Sequence, residues 1–225
     1  MDSANLFASF FERNLQKDQI IISPAIEIKF FSRPKILKKT TNLIFTSSNG
    51  VKAAGQAVND NIRAICVGDR TTSLASSLGY SAEKYGDNVE QLIKKLCLSK
   101  KIEGDILHIR GKYTKVDLMN RLREAGFLCH EWEGYDQIAK NLSFQALNAF
   151  KNGEKIILPI FSERSGRLLK DQIPNFDKSH IIAISSAVAN VFLDVSPASI
   201  SEAHTPDLAG MRSSTKTVLE NAHLE

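Results

Sequence analysis

Along the chain, short apolar runs alternate with segments whose apolar positions recur at three- and four-residue spacing. The first such segment follows Asp2-Ser3, a pair suited to cap a helix, with Leu6, Phe7, Phe10 and Phe11 at helical spacing. "QIIISPAIEIKFF" predicts a strand, a break at Pro24 and more strand, in which Ile26, Ile28 and Phe30 alternate as on a strand with one covered face. Then "LIFTSS" reads as a strand, "NGVKAAGQAV" as a helix start, "IRAICVG" as a strand and "DRTTSLASSLG" as a helix stopped by Gly79. "NVEQLIKKLCLS" is helical, "GDILHIRG" extended, "KVDLMNRLREAG" helical and "FLCHEWEGY" extended. Strands alternating with helices of this length predict βαβ units and a mostly parallel sheet.

The second half echoes the first. "IILPIFSERSGRLL" follows the order of "NLIFTSSNGVKAA": an apolar strand, a turn rich in serine, then a helix. After a comparable gap, "HIIAISSAVANVF" follows "RAICVGDRTTSLA". Buried strands resemble one another, so the repeat is an expectation. It predicts two similar small α/β lobes with ligand between them. The tail after Pro197 reads as a short strand and a terminal helix, and Leu224-Glu225 as a cloning remnant.

Composition narrows the function classes. The chain has 225 residues, 43% hydrophobic and 24% charged, as in an ordinary globular protein. A net charge of +4 favours acidic ligands mildly and is too dispersed to argue for nucleic acid. Cys66, Cys97 and Cys129 are far apart and form no CxxC, which predicts reduced thiols and a cytoplasmic protein. The five histidines make no short-spaced pair, so no metal site is expected. The N-terminus lacks the pattern of a signal peptide, and no apolar run has the length of a membrane span.

Candidate chemistry gathers at strand-to-helix turns. At Thr46-Ser47-Ser48-Asn49 small hydroxyl and amide groups meet a helix start, where free N–H groups favour anions. Capping of the helix by Ser48 or Asn49 explains the same residues. In "GDRTT", Asp69 or Thr71 could cap, and Gly68 would let backbone approach a ligand; the spacing of a phosphate loop is absent. Arg110, Lys112 and Lys115 follow a strand end, where they suit a carboxylate or form a solvated basic loop. Glu131 and Glu133 share one face of an extended stretch, either for acid–base work or simply in solvent. Tyr135 is packing or a proton donor. No nucleophile–base or metal constellation follows from spacing.

In this order and spacing, "SPAIEIK", "LIFTSSNGVKAA", "ICVGDRTTSLASSLGY", "GDILHIRGKYTKVDLMNRLREAGFLCHEWEGY" and "IFSERSGRLL" resemble the uroporphyrinogen-III synthase family over nearly the whole chain to about Phe192. The resemblance implies two parallel-sheet α/β lobes joined by a pair of extended linkers, "PAIEIKFF" and "EWEGYDQI", with a cleft between them. Residues 30–135 would form the inserted lobe, and 1–29 with 136–225 the other. It implies cyclisation of hydroxymethylbilane to uroporphyrinogen III without metal or organic cofactor. The enzyme would be a cytoplasmic monomer that could receive its substrate from the preceding deaminase, with no nucleic acid or membrane partner. Tyr135 would donate a proton to the departing hydroxyl. Thr46, Ser47, Ser48, Asn49, Gly68, Thr71, Arg110, Gly111 and Lys112 would bind substrate, with Ser162, Arg164, Ser165, Ser185 and Ser186 in the other lobe.

The sequence departs from the family twice. Family members usually place a strand ending in Thr-Arg-Pro before the first helix, and here the sequence starts at that helix. The family's Gly-x-Thr reads Ser185-Ser186-Ala187, so a hydroxyl expected at 187 is missing. Both departures suit a rival, a catalytically impaired protein of the same fold that binds a tetrapyrrole or another polyanion. An unrelated two-lobed receptor for a small anionic metabolite is a second rival.

Overall fold

A computed structural model describes residues 3–13, 15–16, 19–34, 40–58, 61–99, 102–114 and 117–222. The expected cap at Asp2, Lys115 and the terminal Leu224-Glu225 lie outside them. The chain divides into two compact units, Met1–Glu27 with Ala139–Glu225, and Ile28–Ile138.

The Ile28–Ile138 unit is built on parallel strands. β2 (Asn42–Phe45), β3 (Arg63–Val67), β4 (Ser81–Gly86), β5 (Ile106–Gly111) and β6 (Cys129–Ala139) lie in the order β6-β5-β2-β3-β4. β1 (Ile26–Phe30) continues the sheet beside β6. Phe31 N–H donates to the Gly134 carbonyl and Lys140 N–H to that of Ala25, so these two strands run antiparallel. Four helices connect the rest: α2 (Ser48–Ala54), α3 (Asp69–Ser77), α4 (Val89–Ser99) and α5 (Leu118–Glu124). The near-continuous apolar runs have a direct cause, because both faces of the sheet are covered. Leu43, Phe45, Ala64, Cys66, Leu107 and Ile109 pack with Val51, Ala53, Ala54 and Ala75 of α2 and α3. Their neighbours Ile44, Ile65 and Ile106 point the other way, against Leu92, Ile93 and Leu96 of α4 and Leu118, Met119 and Leu122 of α5.

The other unit holds α1 (Ser3–Ala8), α6 (Phe144–Lys151), β7 (Ile156–Ile160), α7 (Glu163–Lys170), β8 (Ser179–Ala183), α8 (Ser186–Ala189), β9 (Ser199–Glu202) and α9 (Leu208–Ala222). Its parallel sheet runs β7-β8-β9. One face packs Ile160, Ile181 and Ala183 against Leu169, Phe176 and Phe192, and the other packs Ile182 against Phe7, Phe11 and Met211. The strand–serine–helix pattern thus recurs in both units, on sheets of unequal width.

Three expectations need correction. "QIII" forms no strand; extended pairing begins at Ile26, after the proline. Phe30 is exposed although Ile26 and Ile28 are half-buried, so the alternation covers only the start of β1. β4 and α6 have no counterpart in the sequence reading. β4, "SAEKYG", is a polar edge strand with Tyr85 as its single buried residue, and charged edges resist further pairing.

Helix α2 lies unusually close to β5 and β6. A Cβ at Gly50 would stand 2.7 Å from the Ile109 carbonyl oxygen, and one at Gly134 would stand 2.9 Å from both Ala53 Cβ and Ile109 Cγ2. These glycines let helix backbone meet sheet backbone. Gly50→Ala is expected to cost about 1–3 kcal/mol, since overpacking against backbone cannot relax by rotamer change. Urea unfolding measures this, and an unchanged midpoint would show that the approach is not a constraint.

Candidate active site

Strands β3 and β4 lie to one side of β2, and β5 and β6 to the other. The chain therefore reverses its winding between β2 and β5. In open α/β sheets, ligands bind outside the carboxyl ends of the strands at such a switch point. Here those ends are Thr46-Ser47 after β2 and Arg110-Gly111 closing β5.

Two consecutive hydroxyls occupy the switch point. Thr46 Oγ1 lies 3.2 Å from His108 Nε2 of β5. Ser47 has extended backbone and caps α2: its Oγ accepts from Gly50 N–H at 3.3 Å and shares a 2.9 Å hydrogen bond with the Tyr135 hydroxyl. The cap is thus Ser47, one residue before the expected Ser48 or Asn49, which form the first turn. Tyr135 sits in β6, only 7% exposed, and its ring covers Gly111, where a Cβ would come within 2.8 Å of it. A side chain at 111 would displace the phenol.

At the end of β3, Gly68 occupies the N-cap position of α3 with φ +76°. Its N–H donates to the Gly86 carbonyl and its own carbonyl accepts from Thr72 Oγ1. Neither Asp69 nor Thr71 caps the helix; Asp69 pairs with Lys84 at 2.9 Å, and Thr71 is buried.

Arg110 belongs to β5 rather than to a loop. Its Nη2 reaches Glu131 at 2.9 Å and Glu133 at 3.0 Å, and its Nη1 donates to the carbonyls of Gly111 and Lys112. The two glutamates do share a face, and what they do there is hold a guanidinium. The hydrogen bond from Arg110 keeps the Glu131 carboxyl below its ordinary range, which suits an ion-pair partner and not an acid. Lys112 stands half-exposed with Asp136 at 3.7 Å, and its N–H donates to the Tyr135 carbonyl.

In the other unit, Ser162 caps α7, accepting from Ser165 N–H at 3.1 Å, and the two hydroxyls lie 2.8 Å apart. Arg164 is half-buried in the first turn of α7. Ser185 takes the cap position of α8 without a side-chain bond, followed by exposed Ser186 and Ala187. These two turns close the adjacent strands β7 and β8. Among the described residues, no three His, Cys, Asp or Glu side chains gather as a metal-ion set, and no helix is long and apolar enough to cross a membrane.

One neighbour of the candidate site escapes sequence reading. His108 is 4% exposed on β5, in register with Ile44 and Glu131, and lines a cavity of about 340 Å³ with Arg110, Thr114, Asp117, Leu118, Met119 and Glu131. Its signal is a single polar residue at an apolar position in "ILHIRG". Burial pushes its pKa from 6.5 down to about 4, against the opposing pull of Glu131. The unfolded chain binds a proton at higher pH than the folded one, so stability falls as pH drops through this window. Between pH 7 and pH 5 the loss due to His108 is about 2 kcal/mol. His108→Gln is expected to flatten that part of the pH dependence of urea unfolding, and an unchanged slope would place the acid sensitivity elsewhere.

Comparison with known proteins agrees with this architecture. The profile of the family described as uroporphyrinogen-III synthase HemD matches residues 17–212. Among curated protein sequences, none matches the chain. Uroporphyrinogen-III synthetase of Helicobacter pylori superposes with a TM-score of 0.67 at 17% identity, over 86% of this chain and 91% of that one. A mutant uroporphyrinogen III synthase of Thermus thermophilus gives a TM-score of 0.54 at 12% identity, over 97% and 95%. At these identities the two structures establish a shared fold, and the profile match establishes descent. The chain belongs to the uroporphyrinogen-III synthase family, lyases of porphyrin biosynthesis that act on hydroxymethylbilane.

Proposed function

We propose that this chain closes hydroxymethylbilane to uroporphyrinogen III from the switch point of its larger sheet, with Tyr135 as the catalytic acid. The observation that carries the assignment is the 2.9 Å hydrogen bond between Ser47 Oγ and the Tyr135 hydroxyl, at the ends of β2 and β6 beside the reversal of winding. The reaction begins by expelling the terminal hydroxyl of a linear tetrapyrrole, and a hydroxyl leaves as water only when protonated. The phenol supplies that proton, and its pairing with Ser47 holds it in one direction. The remaining azafulvene cation is attacked by ring D through its substituted carbon. A spiro intermediate then breaks and rejoins, and loss of a carbon-bound proton leaves ring D inverted. Since the free chain closes to the uninverted isomer, the protein's main contribution is geometric.

The substrate carries eight carboxylates, and the binding set answers them with hydroxyls, backbone N–H groups and few free cations. Ser47, Ser48, Asn49, Gly68 and Thr71 surround the ends of β2 and β3, with Thr46 among them. Arg110, bridged to two glutamates, shapes the Gly111-Lys112 turn through its carbonyls, and Lys112, with Asp136 at 3.7 Å, is the cation of that turn that meets a substrate carboxylate. Ser162, Arg164, Ser165, Ser185 and Ser186 form the set of the other unit. The protein works as a cytoplasmic monomer, without metal or organic cofactor, on substrate received from the preceding deaminase.

Exposed Ala187, where the family carries a hydroxyl, favours one other reading, a tetrapyrrole-binding protein with impaired catalysis. Freshly generated hydroxymethylbilane, followed by oxidation and chromatographic separation of porphyrin isomers, decides between them. Predominant isomer III is expected; isomer I alone, at the spontaneous rate, would leave binding only. Tyr135→Phe is expected to slow turnover by about a hundredfold or less, at the low end for general acid catalysis. Full retention of the rate would remove Tyr135 from the mechanism.

A further inference from the structure

Strand β1 leaves an aromatic ring half in water beside the proposed acid. Ile26 and Ile28 are half-buried, and Ile28 packs with the cluster that holds Tyr135, whereas Phe30, on the same strand face, is 45% exposed. A single exposed phenylalanine is ordinary by itself; the place of this one is not. The hydrogen bonds from Phe31 N–H to the Gly134 carbonyl and from Lys140 N–H to the Ala25 carbonyl are equally far apart on both strands, so one register holds between them. That register sets Phe30 directly opposite Tyr135, in a pair without hydrogen bonds of its own, where side chains stand closest and on one face. The two ring centroids are 6.5 Å apart, with the planes tilted by 60°. Against β5, strand β6 carries one extra residue between Glu133 and Tyr135, a bulge that turns Tyr135 onto the face of Trp132.

The proposed reaction makes a cation next to this pair. Tyr135 gives its proton to the terminal hydroxyl, the carbon–oxygen bond breaks with both electrons going to oxygen, and water leaves. The positive charge stays on the methylene carbon and its pyrrole ring, and the phenolate balances it. We propose that Phe30 is a further catalytic residue, whose exposed ring face holds this azafulvene cation from its formation until ring D attacks. An aromatic face attracts a cation through its quadrupole. It offers no lone pair, so it cannot capture the electrophilic carbon as a carboxylate would. The carboxylates of Glu131 and Glu133, on the same strand as Tyr135, are held by Arg110. The proposal rests on the synthase reading with Tyr135 as the acid.

Phenylalanine carrying one, two or three ring fluorines, placed at position 30, drains charge from the ring face and leaves its size almost unchanged. The single-turnover rate is expected to fall with each fluorine, by about three- to tenfold over the series, the size of a part-exposed cation–π contact. Substrate affinity should change little. Phe30→Leu should lose as much rate as the most fluorinated ring. A rate indifferent to fluorine would overturn the proposal, leaving Phe30 as packing for Tyr135. The same series in Tyr135→Phe protein separates a direct role from one exerted through the phenol. There the dependence on fluorine is expected to persist, and its disappearance would also overturn the proposal. Wild-type protein that yields only the uninverted isomer would overturn the synthase reading and the proposal with it. A flat series in protein that forms isomer III would overturn the proposal alone.

Discussion

The close approach of α2 to β5 and β6 is the constraint on which the site depends. Gly50 meets the Ile109 carbonyl and Gly134 meets Ala53, so helix backbone lies where a side chain would ordinarily stand. That approach sets the start of α2 directly over the end of β5. Ser47 then reaches the Tyr135 phenol, and Gly111 leaves room for its ring. The site is therefore a packing result first and a chemical one second.

Electrostatics at the same strand ends is arranged by pairing more than by excess charge. Arg110, the obvious carboxylate receptor, is bridged by Glu131 and Glu133 and holds two carbonyls of the turn that follows. Lys84 is likewise bound to Asp69 beside the Gly68 turn. On the proposed reading, a polyanionic substrate would meet mostly neutral donors and a preset backbone there. Such a surface can hold many carboxylates in one geometry without binding the product too tightly to release. It also suits a reaction whose outcome is decided by which carbon of ring D attacks.

The sequence conveyed the framework well where both faces of a strand are buried. "LIF", "AIC" and "ILHI" are apolar because helices cover the sheet on each side, and periodicity finds such segments easily. It failed where burial is one-sided or local. β4 is a polar edge, while "QIII" is apolar yet precedes a proline and forms no strand. The turn after β2 was visible as chemistry, but the cap fell on Ser47 because that residue, and not Ser48, has the extended backbone a cap requires. Arg110 looked like a loop cation because its glutamates lie 21 residues or more away along the chain, on the neighbouring strand. His108 was passed over for the same reason: only strand pairing brings it to Thr46.

The central claim is that Ser47 and Tyr135 act as one unit, with the serine aiming the phenol at the departing hydroxyl. A double-mutant cycle on turnover, with Ser47→Ala, Tyr135→Phe and both together, tests it most directly, since residues that work through one another are strongly non-additive. The account predicts that the double variant turns over no more slowly than Tyr135→Phe alone. Rate losses that simply multiply would contradict it, leaving Ser47 as a helix cap and Tyr135 as an acid that needs no help in finding its target.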